Sequence, residues 1–129
     1  MAGRNNNKRP VYLNLLRIHL PVGGVVSIAH RITGVLLVGS LPLMLLLLQQ
    51  SLASTEDYQR VTTLLQTLPA RVLLFVLAVT LAHHFFAGVR HLLLDVDVGI
   101  SHAGGRRSAW LVLAAVVAVG AIAAGRLFL

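Results

Sequence analysis

Ionisable side chains punctuate the end of an otherwise apolar segment: His84-Phe-Phe-Ala-Gly88-Val-Arg90-His91-Leu-Leu-Leu-Asp95. A second apolar segment opens with Ser27, His30 and Arg31. Imidazole can ligate a metal or bond another helix, while a guanidinium with a nearby hydroxyl can hold a carboxylate or a carbonyl oxygen. In hydrocarbon such groups are expensive: a charged side chain costs about 2.5–3.5 kcal/mol on insertion scales, and neutral imidazole still needs a partner. They persist in lipid mainly where they bind something.

Their spacing sorts them into faces. His84, Gly88, His91 and Asp95 follow i, i+4, i+7, i+11, one stripe of a helix. Gly88, one turn from His84, leaves a notch for a flat ring system or another backbone. His83 lies about 100° around the helix from His84, so the two serve different purposes. On the earlier segment Ser27, His30, Arg31 and Gly34 follow i, i+3, i+4, i+7, again one face.

The elements that carry these stripes are membrane spans. Apolar residues make up 57% of the 129 and charged residues 12%, with mean hydropathy +0.81, too little polar surface for a soluble chain of this size. Three stretches lack Asp, Glu, Lys and Arg: Ile32–Thr55, Val72–Val89 and Ser108–Gly125. Each suffices to cross about 30 Å of hydrocarbon as a helix. The expected fold is therefore all-α, three transmembrane helices over about 22–52, 70–94 and 109–129. Residues 21–129 form one anchor domain, and residues 1–20 a cytoplasmic tail with an interfacial segment. Met1–Pro10 is polar and basic, unlike a cleavable signal. Pro21 suits a helix start, and Pro42 predicts a kink near Val38–Leu43. Ser54-Thr-Glu-Asp57 reads as an N-cap with acids in the first turn of a short amphipathic helix through Val61, Leu64, Leu65 and Leu68, ended by Pro69. Val96–Ser108 is expected to be a Gly-rich loop, with Trp110 and Arg126 as interfacial anchors of a small-residue third span.

The formal charge of +7 raises a nucleic-acid reading, which the distribution of charge sets aside. Lys and Arg sit at the ends of apolar runs rather than along an exposed stripe. Arg4, Lys8, Arg9 and Arg17 precede the first span and Arg106 and Arg107 separate the second and third, against Arg60 and Arg71 in the loop between. The positive-inside rule then puts the N-terminus in the cytoplasm and the C-terminus in the periplasm. Both polar stripes thereby reach the same depth near the cytoplasmic end, which argues for one shared site. Absent cysteine excludes thiolate-held iron–sulfur clusters, disulfides and c-type haem attachment within this chain.

Each residue also has a plainer reading. For His84 an interhelical hydrogen bond competes with metal ligation, and Gly88 with the second stripe favours ligation. A haem-ligating histidine presents Nε2 and gives its other N–H to a carbonyl or carboxylate. His91 suits a structural bond, His83 packing against a neighbour or a lipid-facing edge, and Arg90 and Asp95 either snorkelling with pairing at the surface or a place in the site. Arg31 as a topological anchor competes with Arg31 as a ligand to oxygen.

Three blocks resemble the cytochrome b subunit of succinate dehydrogenase, the larger of two small membrane anchors of respiratory complex II. Arg9-Pro10-Val-Tyr12-Leu13 resembles its Arg-Pro-x-x-Leu. Ser27-Ile-Ala-His30-Arg31-Ile-Thr33-Gly34 resembles its Ser-x-x-His-Arg-x-Ser/Thr-Gly, and His84-x-x-x-Gly88-x-Arg90-His91-x-x-x-Asp95 its haem-helix signature. His83 departs from the aromatic residue often found before the ligand. The resemblance implies that His84 is an axial iron ligand of a b-type haem whose second ligand comes from the companion anchor subunit. It implies that His30 and Arg31 lie near the haem propionates, and that Ser27 and Arg31 line a pocket for a quinone, expected to be ubiquinone. It implies an iron–sulfur and a flavoprotein subunit as further partners, membrane lipid around the spans, the bacterial inner membrane as location, and no succinate chemistry in this chain itself. Three other readings stand beside it: the anchor of a quinol:fumarate reductase, a haem-free structural or proton-relay membrane protein, and a self-sufficient haem protein ligated by His30 and His84.

Overall fold

The structure, a computed structural model, describes residues 20–129. The Arg9-Pro10 block, Arg17 and His19 lie outside the described residues. Four helices follow in order: α1 Val22–Ser51, α2 Thr55–Leu65, α3 Leu68–Asp95 and α4 His102–Phe128. No strand occurs among the described residues. α1, α3 and α4 are long and apolar enough to cross a membrane, and α2 is the short helix expected in the loop between the first two spans. At 1.5 Å per residue they measure about 40–45 Å, longer than the roughly 30 Å of hydrocarbon, so their ends reach the headgroups.

Local chemistry sets the boundaries. Ser54 caps α2, its Oγ accepting from the Asp57 N–H at 3.0 Å, with Glu56 and Asp57 in the first turn. Both acids pair with Arg60 on the exposed face. Val61, on the opposite face, is buried against the spans. Pro69 falls in the first turn of α3, where its missing N–H is harmless. α1 stays helical through Pro42, and the Ser40 hydroxyl donates to the Leu37 carbonyl at 2.7 Å in the turn before it.

The turn between α3 and α4 is tighter than the sequence suggests. The Val98 N–H bonds the Leu93 carbonyl at 2.9 Å and the Asp97 N–H bonds the Leu94 carbonyl at 3.1 Å. This is a Schellman closure with Asp97 at φ 63° where glycine is usual. The chain turns back through Gly99, also left-handed at φ 79°, and Ser101 caps α4 by accepting from the Gly104 N–H at 3.0 Å. Gly104 and Gly105 therefore belong to the helix, not to the expected 96–108 loop. The Ser101 cap overrides their low helix propensity, and a Cβ on Gly104 would stand 2.9 Å from the Gly99 carbonyl oxygen. Trp110 consequently sits two turns inside α4.

The three spans pack unequally. α3 packs most extensively on α4 and next on α1. Val26, Ala87, Ala109 and Val112 form the buried core, with Phe86, Leu113 and Val116 around it. Small residues at the seam let the backbones approach, the usual device where lipid removes the hydrophobic drive for association. Val26 is the one buried residue of α1, and most of its large apolar side chains are exposed. At the far end Arg71 ties the start of α3 to the end of α4, donating to the Leu127 carbonyl at 3.3 Å.

The α3–α4 turn makes a direct prediction. Asp97→Val places a β-branched residue in the left-handed region and should lower stability by about 1–2 kcal/mol, whereas Asp97→Gly should not. Thermal unfolding of the two variants in detergent compares them.

Candidate functional site

The two polar stripes do meet, and they interlock. The His30 ring stacks on the His84 ring, centroids 4.2 Å apart and planes 9° from parallel. Each imidazole occupies a gap that the opposite helix leaves open. A Cβ on Gly34 would stand 3.0 Å from His84 Cε1, and a Cβ on Gly88 would stand 3.2 Å from His30 Nε2. The Gly88 notch thus receives the His30 imidazole rather than a macrocycle. His91 adds a third ring, tilted 57° against His30 at 5.2 Å.

Hydrogen bonds assign the His84 tautomer. Its Nδ1 lies 3.1 Å from the His30 carbonyl oxygen, which can only accept, so Nδ1 carries the proton. Thr33 Oγ1 lies 3.4 Å from the same nitrogen. That hydroxyl commits its own hydrogen to the Ala29 or His30 carbonyl, each at 2.9 Å, and leaves a lone pair toward His84. His84 Nε2 is then the unprotonated nitrogen, the form in which imidazole binds a metal while its other N–H is held by a carbonyl.

The remaining expected residues divide. Ser27 is half-buried and Arg31 exposed, and neither makes a hydrogen bond among the described residues. Both belong to the α1 stripe that carries His30, Ser27 one turn before it and Arg31 next to it. Asp95 is exposed at the end of α3 and pairs with no arginine among the described residues.

One expectation needs correction, and a second divides between its two readings. Arg90 does not snorkel or pair with Asp95. It is 8% exposed and turned into the bundle, where Nε donates to Ser108 Oγ at 3.1 Å and Nη2 to the Gly105 carbonyl at 3.2 Å. Nη2 also stands 3.0 Å from the position of a Cβ on Gly23, so Arg90 joins all three spans at one end. Its place on α3 explains this: Thr80, His83, Ala87 and Arg90 form a stripe on the interior side, all buried. His83 shares that stripe, 8% exposed, with neither ring nitrogen bonded among the described residues. It is an interior packing residue, not a lipid-facing one, and its face differs from that of His84.

Spacing alone assigned no role to Thr33, Gly34 or Ser108. Thr33 and Gly34 lie three and four residues after His30, a signal available only once the partner helix is known. The stack also bears on the self-sufficient arrangement. Two rings stacked face to face with centroids 4.2 Å apart leave no place for a porphyrin between their nitrogens, as shared ligation of one haem iron would require.

A steric prediction follows from the gap at Gly34. Gly34→Val should overpack His84 and lower stability by about 1–3 kcal/mol. Gly39→Val should be tolerated, because a Cβ there meets nothing within 4 Å. Thermal melts of both variants in detergent decide it.

Comparison with known proteins agrees with this geometry. Residues 5–123 match the family described as succinate dehydrogenase/fumarate reductase transmembrane subunit. The chain is 37% identical over 108 residues to a protein of Coxiella burnetii named succinate dehydrogenase cytochrome b556 subunit, covering 83% of this chain and 86% of that one. With three spans, and with the Ser27–Gly34 and His84–Asp95 blocks packed against each other, the chain belongs to the succinate dehydrogenase/fumarate reductase transmembrane subunit family and is a membrane anchor of that electron-transfer complex.

Proposed function

We propose that His84 is an axial ligand to the iron of a b-type haem held between this chain and a companion anchor subunit, which supplies the second ligand. The observation that carries the reading is the committed Nδ1–H of His84, which leaves Nε2 bare and the ring fixed by Gly34, His30 and Thr33. These residues fit such a group: the ligand is oriented before the metal arrives, and its partner is a carbonyl that strengthens imidazole as a donor. When bound, the haem supplies a one-electron carrier within the bilayer. The Coxiella burnetii relative is named a cytochrome b556 subunit, which supports a b-type haem.

Ser27 and Arg31 form one edge of a quinone pocket at the rim of α1. The Ser27 hydroxyl holds a carbonyl oxygen of the quinone, and the Arg31 guanidinium offsets negative charge developing on that oxygen. His30 and Arg31 lie toward the haem propionates. The rim suits an amphiphilic substrate: apolar α1 surface receives an isoprenoid tail while the polar groups stay within reach of water. Ubiquinone is the proposed quinone and succinate oxidation the proposed direction. The oxidation itself takes place in a flavoprotein subunit, with an iron–sulfur subunit between it and the quinone. This chain carries no reaction alone. In the bacterial inner membrane, residues 1–20 form the cytoplasmic segment, residues 21–129 the anchor domain, and the C-terminus faces the periplasm.

Purification of the assembled complex through a tag on this chain tests the reading. A flavoprotein and an iron–sulfur protein should accompany it, together with a reduced-minus-oxidised b-type haem spectrum. His84→Ala should abolish the low-spin spectrum, and an unaltered spectrum would move the ligand role elsewhere. Ser27→Ala should lower the quinone reductase rate about tenfold, the worth of one hydrogen bond near 1.4 kcal/mol, with haem content unchanged. A wild-type rate in that variant removes Ser27 from the quinone pocket.

A further inference from the structure

A cavity of about 660 Å³ opens where α1 and α4 begin and α3 ends. One wall is basic, made of Arg90 and Arg106 with His102 beside them, and the other is apolar, made of Val22, Leu94 and Ile100. Arg90 is the unusual member. The residue is 8% exposed, and its guanidinium bonds a hydroxyl and a backbone carbonyl and has no carboxylate partner among the described residues. A desolvated cation of this kind calls for a counter-charge.

The chain has little to offer. It contains four acids in all. Glu56 and Asp57 are at the opposite end, paired with Arg60. Asp95 and Asp97 are exposed and do not line the cavity. Residues 1–19 include Arg4, Lys8, Arg9 and Arg17 and no Asp or Glu. An anion from outside the chain is therefore the group that completes the site. The apolar wall and the position at the end of the spans select an amphiphile over a free ion. Basic pockets between transmembrane helices at headgroup depth bind anionic lipid headgroups.

We propose that this cavity binds the phosphate of an anionic phospholipid, with Arg90 and Arg106 as its main electrostatic partners, His102 at the rim, and an acyl chain lying along Val22, Leu94 and Ile100. The lipid neutralises the guanidinium that joins the three spans, and so makes the packing of this end depend on the membrane around it.

The test uses the assembled complex, delipidated in mild detergent and followed by native mass spectrometry. Dioleoyl phosphatidylglycerol, dioleoyl phosphatidylcholine or inorganic phosphate is added to wild type, to the double variant Arg106→Gln/His102→Gln, and to Arg107→Gln, whose side chain is outside the cavity. Wild type should hold one phosphatidylglycerol that the double variant binds at least tenfold more weakly, with Arg107→Gln like wild type and phosphatidylcholine indifferent to all three. Equal retention in the double variant, an equal loss in Arg107→Gln, equal binding of phosphatidylcholine, or displacement of the lipid by millimolar phosphate would each overturn the proposal. So would a wild-type complex that holds no such lipid, the result expected if an acidic surface of a partner subunit covers the cavity.

Discussion

The bond from His84 Nδ1–H to the His30 carbonyl is the contact around which the anchor is organised. It joins the side chain of one span to the backbone of another, in surroundings where water does not compete and an unmade bond is costly. The same contact fixes three things together. It sets how closely α1 and α3 approach, it chooses the imidazole tautomer, and it registers the two helices so that His30 enters the gap at Gly88 while His84 enters the gap at Gly34. Glycine at both positions leaves the rings room to stack at 4.2 Å, and a Cβ at either would press on the opposing ring.

Around that contact the bundle divides its work between faces. The α3–α4 seam is conventional membrane packing, with alanine and valine brought close by small side chains. The α1–α3 seam is polar and specific. Arg90 closes the end where α1 and α4 begin, through the Ser108 hydroxyl and the Gly105 carbonyl, and Arg71 closes the other through the Leu127 carbonyl at the α4 C-terminus. α1, with one buried residue, leaves most of its large apolar side chains exposed for lipid or another subunit, and Arg31 is exposed with them. An anchor that keeps its uncommitted polar groups at an outward rim is suited to completing a site jointly with a neighbour.

Much of this was legible from residue order, and the failures are instructive. Three spans follow from charge-free stretches long enough to cross hydrocarbon, and the α2 cap from Ser54 followed by two acids, because length and local hydrogen bonding are one-dimensional properties. The loop at 96–108 misled because two adjacent glycines suggest flexibility. The Schellman turn at Asp97 and the Ser101 cap supply local bonds that start α4 earlier regardless. Arg90 misled because arginine near a span end commonly snorkels, and no spacing rule reveals that α4 presents the Ser108 hydroxyl and the Gly105 carbonyl at that depth.

Residue order by itself determined that this chain spans a membrane three times and that two polar stripes reach one end of it, since helical periodicity and hydropathy need no partner. Tertiary structure alone decided what those stripes do to each other: which glycine receives which ring, which nitrogen of His84 is left bare, and that Arg90 turns inward. Those outcomes depend on the rotation and separation of packed helices, quantities set by contacts between residues some fifty positions apart and written in no local pattern.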